Sequence, residues 1–478
     1  MSAASLNWAL ALPEIVLACC GMAILVIGVL RKSDATQICS MLTLGAYLVT
    51  AMLVVTSGTG SAYHGQFVVD PFSSFAKLLI LAAAAFGLIL SLDYNRAEGL
   101  SRFEFPVLML LSVTGMMIMV SASSMMSLYL GLELQSLALY VLTAFARDNL
   151  RSSEAGLKYF VLGALASGLL LYGISLVYGF SGSMDFVEIA RALSDPAKAS
   201  TGLIVGVVFV VAGLAFKISA VPFHMWTPDV YEGAPTPVTA FLGTAPKVAA
   251  IALILRVMGI PFGHLLASWQ QLIVLVSVCS MVLGALAAIG QTNIKRLMAY
   301  SSIGHMGYAL IGLAVGTTDG ARGVLIYMVT YVFMNAGTFA CILSMRRKGI
   351  ALEKISDLAG LGRTDPMLAG WLTVFMFSMA GVPPMAGFFG KLYVFLAAVQ
   401  GGMWALAVIG VLTSVVGAFY YLRVIKVMYF DAGGEAFDAR PASLSIVAAA
   451  TGLFTLFFFI FPAPFVGAAQ AAAKVLFG

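Results

Sequence analysis

Five ionisable residues lie near the middle of long apolar stretches of this sequence: Glu133, Lys217, Lys247, His305 and Lys391. A charge at the centre of a bilayer costs about 2.5–3.5 kcal/mol even on insertion scales, so such residues usually face a polar or hydrated interior. They could serve only to pair with one another and hold helices together. Because they are spread over different stretches, the sequence favours a chain of proton-binding sites.

Glu133 is the only acid deep inside one of these stretches, where it stands among several lysines. Removal from water disfavours the charged ammonium form of a lysine, and a nearby carboxylate favours that form again. A lysine balanced in this way changes its charge when its partner moves. We therefore expect Glu133 to act as the partner of a lysine.

Polar side chains flank these groups at the three- and four-residue spacing that places side chains on one helix face. The rows are Tyr129, Glu133, Ser136 and Tyr140; Ser301, Ser302, His305 and Tyr308; and Tyr327, Tyr331, Asn335 and Thr338. Such rows can order the water along which a proton hops, or they can form hydrogen bonds between helices. Both interpretations stay open, and they are compatible.

The other intramembrane bases are weaker candidates. Lys77, Lys158 and Arg256 lie within about two turns of the ends of their stretches, which predicts side chains that extend to the membrane surface. His224 follows Pro222, and it could line a water path or cap carbonyl groups that the proline frees.

Two segments combine helix-breaking residues with a lysine. Pro383 lies in the segment 381–391, which ends at Lys391, and Lys217 is followed by Pro222. Proline removes a backbone donor and clashes with the preceding turn, so both segments predict helices broken within the membrane. An unwound segment exposes backbone groups that bind water or ions. We expect these two sites, each a lysine combined with a helix break, to occupy corresponding positions in the fold.

The elements that must position these residues are predicted to be about fourteen transmembrane helices, because apolar runs of 18 or more residues recur along the chain. Of the 478 residues, 61% are hydrophobic and only 10% are charged, which excludes a water-soluble enzyme and predicts an all-α, polytopic membrane protein. The seventh and twelfth spans are the ones predicted to be broken. The predicted spans are 8–30, 36–57, 72–92, 105–121, 124–145, 154–180, 201–232, 236–258, 265–290, 295–316, 320–345, 366–400, 403–430 and 440–470.

The distribution of basic residues predicts the orientation, since cytoplasmic connections are rich in lysine and arginine. Most of the 26 basic residues fall in the odd-numbered connections, for example Arg31 and Lys32. The opposite side carries Arg191, Lys198, Arg322 and Lys474. Both termini are therefore predicted to lie away from the cytoplasm.

A weak internal repeat is visible, because the segment 157–161 resembles 325–329 and the two proline breaks are five helices apart. An odd number of helices per unit inverts one copy relative to the other, as transporters often do. We therefore divide the chain into an N-terminal three-helix segment (1–104), two inverted five-helix repeats (105–258 and 265–430) and a C-terminal helix (431–478).

Several binding chemistries are excluded. The cysteines are interpreted as small buried apolar residues, because none forms a CxxC pair or a metal-type cluster. The sequence has no phosphate-binding glycine motif and no iron–sulfur spacing, so we expect no nucleotide, flavin, cluster or metal in this chain. The net charge of +5 reflects loop lysines and arginines and predicts no nucleic-acid binding.

At these residues the chain resembles the antiporter-like proton-pumping subunits of respiratory complex I, the NADH:quinone oxidoreductase. The segments that carry the resemblance are 131–137, 222–229, 299–307 and 381–391. The likeness runs from about the fourth helix to the thirteenth. Within that family the chain is most similar to the N type, because the M type usually has a glutamate where Lys391 stands and the L type has a long C-terminal lateral helix.

The resemblance implies a role for each residue. Glu133 and Lys217 would form a modulating pair, Lys247 with His305 a central relay, and Lys391 the exit group toward the periplasm. It also places Lys158 on the hydrophilic axis, against its interpretation from position alone. The residues predicted to support this set are His224, Tyr300, Ser302, Tyr331, Pro222 and Pro383.

The resemblance also implies partners and location. FMN, iron–sulfur clusters and quinone would belong to other subunits, and this chain would contact the M-type subunit, small membrane subunits and the lipid bilayer of a bacterial cytoplasmic membrane, with both termini in the periplasm. A subunit of a sodium/proton antiporter or of a membrane-bound hydrogenase is the alternative. A third possibility is a scaffold whose buried charges serve only assembly.

Overall fold

The computed structural model describes residues 6–31, 34–195 and 200–477, so Lys32 and Lys198 of the orientation argument lie outside the described residues. The chain is mainly helical. Its helices are α1 Leu12–Leu30, α2 Thr36–Thr56, α3 Pro71–Ala97, α4 Glu104–Val120, α5 Met125–Thr143, α6 Leu150–Ser181, α7 Phe186–Ala192, α8 Thr201–Lys217, α9 Trp226–Gly233, α10 Thr236–Leu242, α11 Ala245–Gly259, α12 Leu266–Ile289, α13 Ile294–Val315, α14 Thr318–Leu343, α15 Leu361–Thr364, α16 Pro366–Ala380, α17 Ala386–Gln400, α18 Trp404–Phe430, α19 Ala442–Phe457 and α20 Ala463–Phe477.

Two short antiparallel hairpins complete the chain. Strand β1 (Gly60–Ala62) pairs with β2 (Phe67–Val69) between α2 and α3, and β3 (Arg346–Arg347) pairs with β4 (Ile350–Ala351) after α14. Single 3₁₀ turns cover Trp8–Ala11, Gly263–Leu265 and Ile355–Leu358.

Nine helices of the described chain are long and apolar enough to cross a membrane, and six shorter apolar helices accompany them. This confirms the predicted all-α, multi-pass membrane fold, while the count of fourteen spans and the four-part division stay predictions. Two segments form the centre of the bundle, since the apolar windows of 236–259 and 318–343 are 100% and 94% buried.

The breaks in the predicted seventh and twelfth spans are confirmed. Residues 218–225 separate α8 from α9, and residues 381–385 separate α16 from α17. Two further spans that were predicted to be continuous are also broken. The eighth is interrupted at Gly243 and Thr244, because Pro246 suits only the first turn of a new helix, and the fourteenth is interrupted over 458–462, which ends in a proline.

Glycines let two pairs of helices approach closely. A Cβ atom at Gly115 of α4 would lie 2.5 Å from the backbone nitrogen of Gln135 in α5. A Cβ at Gly284 of α12 would lie 2.7 Å from the nitrogen of Gly304 in α13. Small residues permit this backbone contact in membrane bundles. Each pair consists of the first two helices of one predicted repeat. The similar packing of the two pairs supports the prediction of a repeat.

The predicted surface position of Lys77 and Arg256 is wrong. Lys77 Nζ lies 2.7 Å from Glu14 Oε1, and Arg256 donates two hydrogen bonds of 2.9 Å to Asp70. All four side chains are almost fully buried. Each base turns inward because an acid from a distant part of the chain neutralises it, and spacing along one helix cannot reveal such a partner.

Candidate proton-relay site

The structure brings Lys217, Lys247, His305 and Lys391 into the protein interior, as predicted. Their relative exposures are 6%, 1%, 3% and 6%, whereas Glu133 is only half-buried. They come from α8, α11, α13 and α17, so the site is assembled from both predicted repeats. None of the three lysines takes part in an ion pair within the described residues.

Lys217 is the last residue of α8, next to the break. Its Nζ donates a hydrogen bond of 2.6 Å to Ser136 Oγ and one of 3.4 Å to Tyr140 OH, both from α5. The ammonium also lies 5.5 Å from the centre of the Tyr140 ring. Polar and aromatic groups therefore stabilise Lys217 without a direct counter-ion.

Glu133 makes no direct ion pair with Lys217 among the described residues, although its charge is close enough to act on the ammonium, and the modulating role stays a prediction. Its Oε1 accepts a hydrogen bond of 2.6 Å from Ser167 Oγ, and Ser167 is 3.2 Å from Tyr129 OH. Ser136, which binds Lys217, lies one helical turn from Glu133. Glu133 and Ser136, the partner of Lys217, thus lie on the same face of α5. Different hydroxyl groups bind the acid and the base.

Lys247 stands in the first turn of α11, immediately after the break at Gly243 and Thr244. Its Nζ donates to Ser219 Oγ, and it lies 5.4 Å from the centre of the Trp226 ring. Ser219 belongs to the break between α8 and α9, and its φ of 62° is left-handed. The unwound segment after Lys217 thus supplies the hydrogen-bond partner of the next lysine along the chain.

His305 lies between two tyrosines of other helices. Its Nδ1 is 2.5 Å from Tyr327 OH of α14, and its Nε2 is 3.1 Å from Tyr421 OH of α18. Tyr421 also bonds to Ser301. Sequence reasoning missed Tyr421, whose only signal is a tyrosine pair inside an apolar helix. A ring with both nitrogens bonded to hydroxyl groups can take a proton on one side and release it on the other.

Lys391 satisfies the carbonyl groups that the second break exposes. Its Nζ donates to the carbonyls of Met379 and Ala380 at 2.9 and 3.0 Å and to Ser414 Oγ at 2.8 Å. The last carbonyls of a helix have no partner inside it. Lys217 precedes its break and Lys391 follows its own. The correspondence of the two lysine-containing breaks stays a prediction.

Lys158 belongs to a separate cluster at the surface of the chain, in agreement with its predicted position near a helix end. Its Nζ lies 2.7 Å from Glu154 and 2.9 Å from Asp229. Asp229 also binds Arg296, which contacts Glu232 at 3.0 Å. The Lys158 side chain is 42% exposed on the surface of the chain. Two carboxylates bind Lys158 at this surface position. The structure therefore does not bring it together with the buried lysines.

Some of the predicted supporting residues lie beside His305, and others lie in the two helix breaks. Tyr331 OH donates to Ser302 Oγ at 2.9 Å beside His305, while Tyr300 is half-buried elsewhere on α13. Pro222 and Pro383 lie in the two breaks. His224 is half-buried in the first break, and its Nδ1 bonds to no group of the described chain, so its two interpretations stay open.

In the part of the chain that is described, no three histidine, cysteine, aspartate or glutamate side chains are arranged to hold a metal ion. The five cysteines are free thiols. Cys39 and Cys341 are buried, but Cys19 is exposed, so the expectation of burial is wrong for Cys19.

Comparison with known proteins gives one consistent result. Residues 122–417 match the family described as NADH:quinone oxidoreductase/Mrp antiporter, TM. The chain is 68% identical over 476 residues to NADH-quinone oxidoreductase subunit N of Granulibacter bethesdensis, covering 98% of this chain and 100% of that one. It is 60% identical over 469 residues to subunit N of Parvibaculum lavamentivorans, covering 98% and 97%.

Solved structures are similar along the whole chain. A chain of respiratory complex I from Thermus thermophilus with bound aureothin is 33% identical, with a TM-score of 0.82 and coverage of 96% of this chain and 99% of that one. A chain of the Mrp complex from a Dietzia species is 22% identical, with a TM-score of 0.86 and coverage of 99% and 98%. The second likeness shows a shared fold only.

Proposed function

Because this chain belongs to the family of NADH-quinone oxidoreductase subunit N, we propose that it moves protons across the membrane through Glu133, Lys217, Lys247, His305 and Lys391. It acts within a complex I that transfers electrons from NADH to quinone. The neighbouring M-type and small membrane subunits are its partners. FMN, iron–sulfur clusters and quinone lie in other subunits of the assembly.

One observation carries the proposal: the three buried lysines bind hydroxyls, carbonyls and aromatic faces, and no carboxylate pairs with them in the described chain. A buried charge without a counter-ion is expensive, so such a lysine can exist in both protonation states. Lys77 and Arg256 of the same chain give the contrast, since each is fixed by an acid.

A pure scaffold role predicts the opposite pattern, with permanent ion pairs at the helix contacts. A sodium/proton antiporter subunit is the second candidate, because the description of the family that the chain matches also names the Mrp antiporter. The long matches to subunit N favour complex I. The location that accords with complex I is the bacterial cytoplasmic membrane, and the asymmetry of basic residues supports both termini in the periplasm.

The test uses the assembled complex reconstituted into vesicles. Lys217→Ala should keep assembly and lower the number of protons moved per NADH oxidised. The matched control is Lys426→Ala, because this lysine is 62% exposed and paired at the surface with Asp431. If Lys217→Ala assembled and pumped like the Lys426→Ala complex, the transport role would be lost.

A further inference from the structure

A second buried polar region lies in the N-terminal helices, away from the relay described above. Its centre is the ion pair of Glu14 in α1 and Lys77 in α3, whose nitrogen and oxygen are 2.7 Å apart. Both side chains are buried, with 6% and 2% exposure. Apart from Lys77, no donor among the described residues binds the Glu14 carboxylate. This carboxylate therefore has acceptor sites to spare.

The neighbouring pair of Asp70 and Arg256 differs in this respect. Asp70 accepts two hydrogen bonds from Arg256 and one of 2.6 Å from the backbone of Ser73. With Glu14 and Lys77 it forms a group of two acids and two bases with no net charge. Asp70 is thus saturated with donors, whereas the Glu14 carboxylate has room for a further partner.

A row of hydroxyl groups on α2 leads to this pair. Thr43, Tyr47 and Thr50 are buried to 0%, 2% and 0%, and their hydroxyls bond to no group of residues 6–31, 34–195 and 200–477. Buried hydroxyls almost always have a partner, which is water where the protein offers none. These three positions recur every three or four residues, so they share the buried face of α2.

The spacing of the row suits a chain of single waters. Steps of three and four residues correspond to about 4.5 and 6 Å along the helix axis. Hydroxyl groups that share one helix face in this way can be joined through bridging waters. Thr50 is six residues from the end of α2, and Lys77 is six residues from the start of α3. Since these antiparallel neighbours are joined by the β1–β2 hairpin, the row ends at the level of Lys77.

The other end of the row opens into a cavity of about 300 Å³. Ser40 of α2, which continues the row by one step, and Ser91 and Asn95 of α3 line it, with Asp34 and Arg96. Beyond Lys77, the ring of Phe67 in β2 lies 4.9 Å from the ammonium and packs with the apolar Ala62 and Val69 of the hairpin. A water path to the ion pair would therefore start on the side of this cavity.

We propose that Glu14 and Lys77 form a second proton-binding site, which water reaches from this cavity along Ser40, Thr43, Tyr47 and Thr50. A proton from bulk water passes by hopping between hydroxyls and waters and binds the Glu14 carboxylate. The carboxylate becomes a neutral acid, the Lys77 ammonium remains next to Asp70, and the group of four gains one positive charge. The site does not depend on the function proposed above.

Access can be tested by cysteine substitution in the assembled complex, in a background whose native cysteines are alanine. Thr43→Cys and Thr50→Cys should react with silver ions, measured as thiols protected from later labelling. Leu48→Cys is the matched control, because it lies on the same helix at a similar depth and is 59% exposed on the outer, apolar face. Leu48→Cys should stay unreactive. If only Ser40→Cys reacted, the path would end at the cavity and the proposal would be overturned.

Proton binding can be tested by infrared difference spectra of the complex after a step from neutral to acid pH. A carboxylic acid band should appear in the wild type and be missing in Glu14→Gln. Tyr47→Phe keeps the ring and removes only the hydroxyl, so it should slow the appearance of the band without weakening assembly. A purely structural ion pair would give identical spectra in all three proteins, and that result would also overturn the proposal.

Discussion

Lys391 donates hydrogen bonds to the carbonyl groups of Met379 and Ala380, so a side chain of α17 closes the end of α16 across the break between them. The two halves of this broken helix are thus joined by one ammonium group. Loss of its charge would change how well the end of the preceding helix is satisfied. In the relay proposed above, proton binding at Lys391 would therefore be coupled to the geometry of the break.

Removing this ammonium should affect both properties. In Lys391→Met the two carbonyls and Ser414 lose their donor, and each unsatisfied buried group costs about 1–3 kcal/mol. We expect lower thermal stability of the complex and a loss of pumping per NADH oxidised, measured in vesicles. Lys391→Arg keeps a donor and should recover stability without recovering pumping. Full pumping by Lys391→Met would contradict the assigned role.

The position of Tyr140 depends on a glycine of α6. A Cβ atom at Gly163 would lie 2.1 Å from Tyr140 OH, so Gly163→Ala must displace the hydroxyl that faces Lys217. Overpacking of this kind typically costs about 1–3 kcal/mol. We expect reduced pumping with NADH oxidation measured in parallel. Gly168→Ala on the same helix meets nothing within 4 Å and should behave like the wild type. Equal effects of the two changes would show that Tyr140 is not positioned in this way.

Tyr421 should matter to His305, although it was not predicted from the sequence. Tyr421→Phe removes one of the two hydroxyls that bind the imidazole and also frees Ser301, at a cost of about 1–3 kcal/mol. We expect slower proton movement and a shifted pH profile of pumping. Tyr429→Phe is the control from the same helix, because its hydroxyl contacts only Thr373 at the surface in the described chain. An unchanged pH profile in Tyr421→Phe would remove Tyr421 from the relay.

The pair of Asp70 and Arg256 should behave as a structural ion pair. Breaking a buried pair by removing one partner costs about 3–5 kcal/mol, whereas replacing both by apolar residues costs much less. We expect Arg256→Met to lower thermal stability strongly and Asp70→Leu with Arg256→Met to restore much of it. Protons moved per NADH should stay constant wherever the complex assembles. A fall in that ratio with normal assembly would place the pair on the proton path.

The loop that carries Asp438 should respond to acid. The backbone N–H groups of Gly349 and Lys348 donate to its carboxylate at 2.8 and 2.9 Å and hold the pKa of Asp438 below its ordinary value of 3.8. The stabilisation is thus fully present above that value and is lost as pH falls through the lower pKa in the folded protein. Amide hydrogen exchange of residues 346–351, corrected for intrinsic rates, should show it. Asp438→Asn should reduce protection near neutral pH, and Glu435→Gln should not.

The burial of Lys217, Lys247, His305 and Lys391 was predictable, because each stands in a long apolar segment that no surface could accommodate. The partners were not predictable. Ser219, Ser414 and Tyr421 come from elements far away in the chain or from an unwound segment, and no periodicity connects them to the groups they bind.

The errors have the same physical origin. Distance from a helix end suggested a surface position for Lys77 and Arg256, but the counter-ions Glu14 and Asp70 on other elements decide their direction. The fold and both proline breaks followed from composition and from residues with special backbone geometry. The break at Gly243 was missed, although Pro246 marks the restart of the helix.

The break at Gly243 and Thr244 places Lys247 in electrostatic surroundings unlike those of Lys217 and Lys391. Lys217 ends α8 and Lys391 contacts the carbonyl end of α16, so each faces the negative pole of a half-helix, whereas Lys247 stands at the amide end of α11, where the pole is positive. In the proposed relay, a positive charge would therefore be less favoured at Lys247 than at Lys217 or Lys391. The interrupted eighth span would thus set the central lysine apart electrostatically from the two outer ones.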